Sequence, residues 1–244
     1  MKKTKKLFSI LVCVLISVFV VLACVACTGE ATDTYIADVN PYRWGNTPKV
    51  QPEVDEGVKI DGEFNDSVYE NIRWLEAVDR PDSEKSSVIR IGTAITAKGL
   101  YIAVDVEETG SNIYVNPTRG DYLNSGIELH MELAGETYMT QKALEINLVA
   151  NGAYAVRSRV PNRGSWRDVA TPDEIAPLTA AKAKGGKLNS DSCYGYTYEA
   201  FFSKWDLEKL GYKFSENMEF VLNPVHIISL DYNLTNNLAR IYSE

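Results

Sequence analysis

The sequence has few of the residues that build disulfide frameworks, histidine metal sites and nucleophilic triads. Its 244 residues include four cysteines and two histidines. Three of the cysteines lie in or directly after an N-terminal apolar run, so Cys193 is alone in the rest of the chain and cannot form an internal disulfide framework. With His130 and His226 as the only histidines, a zinc site built from several histidines or a Ser-His-Asp triad is disfavoured. The fold must therefore be stabilised by its hydrophobic core.

Basic residues and catalytic motifs are also scarce. Residues 1–26 hold four of the 25 lysines and arginines and none of the 33 aspartates and glutamates, so the remainder carries 21 basic and 33 acidic residues and a net charge of −12. An acidic surface disfavours nucleic acid as a partner. The sequence contains no phosphate-binding loop, zinc motif or motif of an activated nucleophile. We therefore expect a protein that neither binds nucleic acid nor acts as an enzyme.

The chain begins with the pattern of a bacterial lipoprotein signal, which we assign to residues 1–27. Residues 7–26 contain no charged residue, and they follow a basic segment that contains Lys2, Lys3, Lys5 and Lys6. Small residues then precede Cys27, the first choice for lipidation, and Cys24 is the alternative. We expect export, with an N-terminal lipid holding the protein in the membrane at the outer face of the bacterial cell. An uncleaved membrane helix is the other interpretation, because the apolar run approaches the ~20 residues that span a bilayer.

Residues 28–57 have the composition of a tether between the anchor and a folded domain. They are polar and contain Pro41, Pro48 and Pro52. At residue 58 the pattern changes to alternating apolar and polar residues, which marks the start of a domain that we extend over residues 58–244. About 215 residues follow the signal, enough for one domain with a sizeable core.

The alternation predicts half-buried antiparallel strands. It is clearest over residues 100–106, 127–133 and 144–148. Further strands are predicted near 87–96, 153–160, 176–183, 194–202 and 218–229. Helical pattern is confined to residues 65–71 and 204–210, and Gly211 closes the second segment. We predict an all-β fold, a two-sheet antiparallel β-sandwich of the immunoglobulin or jelly-roll kind with two short helices.

Three segments carry motifs that point to a family. Residues 58–69 read VKIDGEFNDSVY, residues 99–106 read GLYIAVDV and are followed by DYLNSGIEL at 121–129, and residues 195–207 read GYTYEAFFSKWDL. In this order, and over about residues 58–242, they resemble the family 9 carbohydrate-binding modules. The corresponding family motifs are IDG with a short helix, LYVAV with W-x-x-D-S-V-E-I, and GYTVEAAIPW-x-x-L. The resemblance implies a β-sandwich that binds a polysaccharide or oligosaccharide without cleaving it.

The resemblance also implies where the sugar binds. In that family two aromatic rings sandwich a sugar, because the C–H faces of a pyranose pack on flat aromatic surface while its hydroxyls need hydrogen-bond partners. Tyr122 stands at the position of the first sandwich Trp. Asn124 and Glu128 follow at the spacing of its polar partners, and Asn147 fits the polar strand beside the site. Arg119, Asn124 and Glu128 are expected to rim the groove.

Several positions depart from the family pattern. Ser125-Gly126 replaces Asp-Ser, and Glu145 falls where some members have a binding Arg. The second sandwich Trp, and with it the last strand, has no match before Glu244. Either the sequence is incomplete at Glu244 or another residue supplies the second ring, and for the latter we expect Trp166, from a loop over residues 161–167. The alternative is an aromatic side chain that packs on the sandwich.

Other polar groups have less specific interpretations. His130 is expected to be solvated, His226 to be a satisfied core group, and Tyr194, Tyr196 and Tyr198 to form a buried stripe. No cofactor is required, although two acidic clusters offer oxygen ligands for structural calcium: Asp105, Glu107 and Glu108, and Asp61, Glu63 and Asp66. Two functions remain open, a carbohydrate-binding module at the cell surface that supports polysaccharide capture or breakdown, and a structural or protein-interaction envelope lipoprotein with a degenerate sugar site.

Overall fold

The computed structural model describes most of the chain after residue 52. The described residues are 53–78, 87–109, 113–134, 143–159, 166–168, 175–229 and 231, together with short strands at 34–36 and 237–241. The predicted signal peptide and most of the predicted tether lie outside them. No helix in these ranges has the length and apolar character needed to cross a bilayer.

The described residues form two six-stranded antiparallel sheets, which confirms the predicted β-sandwich. Sheet A contains, in spatial order, β1 (Thr34–Ile36), β9 (Leu178–Lys184), β10 (Gly195–Ser203), β4 (Gly99–Glu108), β3 (Ser87–Ile95) and β2 (Trp74–Val78). Sheet B contains β12 (Asn237–Ile241), β11 (Phe220–Ser229), β5 (Gly126–Leu133), β6 (Leu144–Val149), β7 (Tyr154–Arg159) and β8 (Trp166–Asp168). The main core lies between the sheets, where side chains such as Ile102 and Val104 of sheet A join Leu129 and Ile146 of sheet B.

The segments with an alternating pattern form strands in the structure. Four short strands were not predicted from the sequence. Strands β3 to β7 and β9 to β11 match the predicted segments, whereas β1, β2, β8 and β12 were not predicted. Strand β8 has three residues, too few to show an alternating pattern. The edge strand β12, near the end of the chain, pairs with β11 from Val225↔Ile241 to Ser229↔Asn237.

Both predicted helical segments are helical, at reduced length. Residues 65–71 contain a single 3-10 turn, Ser67–Tyr69. Residues 204–210 contain the helix α1 (Lys204–Lys209), whose first turn is closed by a capping box between Ser203 and Asp206. Gly211 follows with φ +94°, the left-handed conformation expected of a C-terminal stop.

A second core covers the outer side of sheet A and ties the first sequence motif to the third. Tyr69, Tyr101 and Phe201 are buried there beneath the segment that begins at residue 53. The carboxylate of Glu199 on β10 accepts hydrogen bonds from the backbone amides of Asp61 (2.8 Å) and Gly62 (2.6 Å). The IDG and GYTYEA motifs therefore occur together because one supplies the donors and the other the acceptor of a single buried contact.

Candidate functional site

The side chains of interest lie on the face of sheet B that points away from the core. On β5, Ile127, Leu129 and Met131 are buried in the core, so Glu128 and His130 point to the opposite face. Register then aligns three strands, because His130 pairs with Glu145 on β6 and Glu145 pairs with Arg157 on β7. Residues directly opposite each other in a sheet share a face. We call the group Asp121, Glu128, His130, Glu145, Asn147 and Arg157 the outer-face cluster.

Glu145 lies at the centre of the outer-face cluster. Its side chain is 6% exposed, and its Oε1 accepts hydrogen bonds from Asn147 Nδ2 (2.9 Å) and Arg157 Nη1 (2.9 Å). Burial raises the pKa of Glu145, and the charge of Glu128 raises it further, while Arg157 and Asn147 act in the opposite direction. The result is a buried carboxylate with one oxygen held by protein donors.

Arg157 joins this carboxylate to the loop before β5. Its Nη2 donates a hydrogen bond to Asp121 Oδ1 (2.5 Å), and Asp121 begins the 3-10 turn Asp121–Leu123. The two carboxylates raise the pKa of Arg157 more than burial lowers it, so the guanidinium stays charged. The contact brings the turn that carries Tyr122 to the edge of the cluster.

His130 and Trp166 form the other side of the cluster. The imidazole and indole rings stack with centroids 5.2 Å apart at an interplanar angle of 27°. His130 Nε2 lies 2.8 Å from Glu128 Oε1, and the His130 side chain is 14% exposed. The expectation of a solvated His130 was therefore wrong, because Trp166 from a distant strand covers it and Glu128 supplies a partner.

Tyr122 is 56% exposed. This is the greatest exposure of any large hydrophobic side chain that the structure describes. Its ring lies over Gly120, where an added Cβ would come within 2.7 Å of the ring. The ring can therefore occupy this position because residue 120 has no side chain. Exposed aromatic surface beside a polar cluster is a common feature of ligand sites.

The structure brings some predicted site residues together and separates others. Glu128 and Asn147 belong to the outer-face cluster, Trp166 stacks on it, and Tyr122 adjoins it through Asp121. Asn124 is 1% exposed and is used within its own loop, where it accepts from the Asn116 amide (2.5 Å) and donates to the Gly120 carbonyl (2.8 Å). It supports the Tyr122 turn from below. Arg119 is exposed on the same loop.

Sequence reasoning missed four members of the outer-face cluster: Asp121, His130, Glu145 and Arg157. Asp121 begins the motif at 121–129 but was not assigned a role, and no local motif marks His130, Glu145 or Arg157. The available signal was the departure at Glu145, since an acid at a position that is basic in some family members calls for a cation nearby. Arg157 supplies that cation from the next strand.

The two acidic clusters considered for calcium have protein partners. Asp105 forms ion pairs with Arg90 and Lys184, and Glu63 forms one with Lys182. Within the described ranges, one group of three His, Cys, Asp or Glu side chains has its ligand atoms all within 4.8 Å of one another, and it consists of Glu128, His130 and Glu145. The geometry therefore favours the outer-face cluster over either acidic cluster as a place for a cation.

Other predictions for aromatic and histidine side chains had mixed outcomes. Tyr196 and Tyr198 are fully buried, as predicted, whereas Tyr194 precedes β10 and is 50% exposed. His226 is buried and pairs with Glu108 at 2.8 Å, in agreement with a satisfied core histidine. The predicted tyrosine stripe is thus two residues long, because the strand begins at Gly195.

No protein-family model and no curated protein sequence matches the chain. Solved structures that are similar to it include these two. One is a family 9 carbohydrate-binding module from Caldicellulosiruptor kristjanssonii in complex with cellotriose, with 14% identity, a TM-score of 0.46, and coverage of 76% of this chain and 78% of that one. The other is a protein from Bacteroides uniformis, provisionally described as carbohydrate-binding, with 8% identity, a TM-score of 0.44, and coverage of 70% and 76%.

Proposed function

We propose that this domain binds a saccharide on the outer face of sheet B, between Tyr122 and the Trp166–His130 stack, and does not cleave it. The observation that carries the proposal is the 56% exposure of the Tyr122 ring beside a cluster of hydrogen-bonding groups. Burial of an aromatic ring is favourable, so an exposed ring at such a place is available to a ligand.

The chemistry of the cluster suits a sugar. A pyranose needs flat apolar surface for its C–H groups and both donors and acceptors for its hydroxyls. Tyr122 and Trp166 supply the surface, Arg157 supplies donors, and Glu128 supplies acceptor oxygens. A shallow site with one or two rings buries little area, so we expect modest affinity for a single site.

Affinity electrophoresis through gels that contain soluble polysaccharides tests the proposal, after a glycan array has identified which polysaccharide to use. Tyr122→Ala and Trp166→Ala should each weaken retention about tenfold, which corresponds to about 1.4 kcal/mol of binding free energy. Tyr194→Ala is the matched control, since Tyr194 is also half-exposed but lies beside sheet A. It should leave retention unchanged.

Two outcomes would contradict the proposal. Unchanged retention in both the Tyr122 and Trp166 variants would remove the site, and the structural or protein-interaction role would then be favoured. Release of reducing sugar by the purified chain would contradict binding without cleavage. Circular dichroism of each variant should match the parent, which separates loss of binding from loss of fold.

We further propose that the domain is displayed at the outer face of the cell by a lipid on Cys27, or on Cys24. The basic and apolar segments before these cysteines support this placement. Cys27→Ser should move the protein from the detergent phase to the aqueous phase in phase partitioning if Cys27 carries the lipid, and Cys24→Ser should do so if Cys24 carries it. Many anchored copies on one surface would raise the modest affinity through avidity and support capture of a polysaccharide.

A further inference from the structure

We propose that Glu128, His130 and Glu145 form a binding site for a divalent transition-metal ion, for which Zn²⁺ is the best fit. The three side chains come from two neighbouring strands, β5 and β6, and their ligand atoms all lie within 4.8 Å of one another. The metal site lies in the same outer-face cluster as the proposed saccharide site, but it binds a different ligand. Metal binding can therefore be measured without any sugar.

The distances are close to those of a metal site. His130 Nε2 lies 2.8 Å from Glu128 Oε1 and 4.0 Å from Glu145 Oε2. Zinc bonds of about 2.0–2.2 Å in a tetrahedral arrangement separate ligand atoms by about 3.4 Å. One distance must therefore widen and the other shorten by about 0.6 Å.

One oxygen of the Glu145 carboxylate is available to bind a metal ion. Its Oε1 is held by Arg157 and Asn147, whereas its Oε2 faces His130 Nε2 at 4.0 Å, too far for a hydrogen bond. The Glu145 side chain as a whole is 6% exposed. A carboxylate oxygen that faces an imidazole nitrogen is oriented as a metal ligand, and Arg157 and Asn147 act as outer partners that hold the carboxylate through its other oxygen.

Charge also favours a cation at this place. Asp121, Glu128 and Glu145 bring three negative charges to the outer-face cluster, while Arg157 brings one positive charge and His130 is neutral when it acts as a ligand. The carboxylates of Glu128 and Glu145 repel each other at this short distance. A dication bound between them removes the repulsion.

The type of ligand selects the type of metal. Calcium prefers six to eight oxygen ligands, whereas one imidazole nitrogen with two carboxylates suits zinc and neighbouring transition metals. Three protein ligands leave one coordination position, which a water molecule or a hydroxyl of a bound ligand can occupy.

The test is calorimetric titration of the full chain with Zn²⁺, without a histidine tag and in a detergent that has no sugar headgroup. We expect one Zn²⁺ per chain. Glu145→Gln and His130→Gln should each lower the affinity for Zn²⁺ at least about tenfold. Loss of a residue that only supports a ligand already costs about this much, and these two residues are ligands themselves. Glu208→Gln, an exposed glutamate on α1, is the matched control and should bind as the parent does.

Each other outcome would overturn the proposal. Binding of Zn²⁺ with equal affinity by the parent and by Glu145→Gln would show adventitious surface sites, and absence of binding by the parent would remove the site outright. If either variant is misfolded by circular dichroism, Glu128→Gln replaces it, because Glu128 is only partly buried. A titration with Ca²⁺ should give weaker binding than Zn²⁺, and tighter Ca²⁺ binding would contradict the assignment of the metal.

Discussion

Glu199→Gln tests how the buried contact between the first and third sequence motifs responds to pH. Glu199 is fully buried, and its Oε2 accepts the amides of Asp61 and Gly62. Burial raises its pKa from 4.5 to about 7, against the lowering effects of the Tyr69 hydroxyl and the two backbone amides. Glutamine keeps a carbonyl oxygen for the same two amides and does not titrate.

The two pKa values give the magnitude. The folded state keeps a proton that the unfolded state releases between pH 4.5 and about 7, so the stabilisation is fully present below pH 4.5 and is lost as the pH rises through 7. From pH 5 to pH 8 the free energy of unfolding should therefore fall by about 2.5 kcal/mol because of Glu199 alone. This part of the pH dependence should be missing in Glu199→Gln.

The measurement is urea denaturation of the parent and the variant at pH 5 and at pH 8. The difference in unfolding free energy between parent and variant should change by about 2.5 kcal/mol between the two pH values, with the parent relatively more stable at pH 5. Other titrating groups are common to both proteins and cancel in this comparison. Glu208→Gln, on the surface of α1, should show no such change.

Equal pH dependence in the parent and in Glu199→Gln would refute the reasoning. It would mean that the two amide hydrogen bonds compensate the ionised carboxylate fully for its burial. A parent that is less stable relative to Glu199→Gln at pH 5 than at pH 8 would reverse the sign. That result would be equally contrary to a raised pKa of Glu199.

Further perturbations should have the following effects on the free energy of unfolding, as measured by urea or thermal denaturation. Arg157→Ala removes the guanidinium that pairs with two buried carboxylates of the outer-face cluster, and we expect a loss of about 3 kcal/mol; a loss below 1 kcal/mol would mean that Arg157 is not a structural partner. Ser203→Ala removes the capping box of α1 and should cost about 1 kcal/mol. Gly99→Ala should cost about 3 kcal/mol, because the new Cβ would lie 2.1 Å from the carbonyl oxygen of Phe202 on the paired strand. Gly211→Ala meets nothing within 4 Å and should cost only about 1 kcal/mol, the strain of a left-handed backbone; the reverse order of the two glycine variants would contradict the close approach at Gly99.

The fold could be predicted from the sequence wherever one strand carries its own pattern. Strand β5 alternates Ile127, Leu129 and Met131 with polar residues, and this local period identifies both the strand and its buried face. Strand β8 has three residues and carries no period, so Trp166 was expected in a loop. Tyr194 was assigned to a buried stripe because the start of β10 cannot be located to one residue from alternation.

The candidate site could be predicted only in part. Tyr122 and Glu128 were proposed because they stand at matching positions in a motif, and Asn147 because it fits the polar strand beside the site. Their neighbours Arg157 and Glu145 are 12 residues apart in sequence, and only the register of β6 and β7 sets them side by side. A motif read along the chain contains no information about that register.

By itself, the sequence determined a two-layer β-sandwich, because alternation with a period of two can bury an apolar face only in a sheet that packs on another sheet. It also determined an acidic chain. The tertiary structure decided which charged side chains meet. Glu145, Arg157 and His130 lie on three strands, and Trp166 reaches His130 from a fourth. Their grouping follows from strand register and from the path of the chain, and both are set by long-range packing.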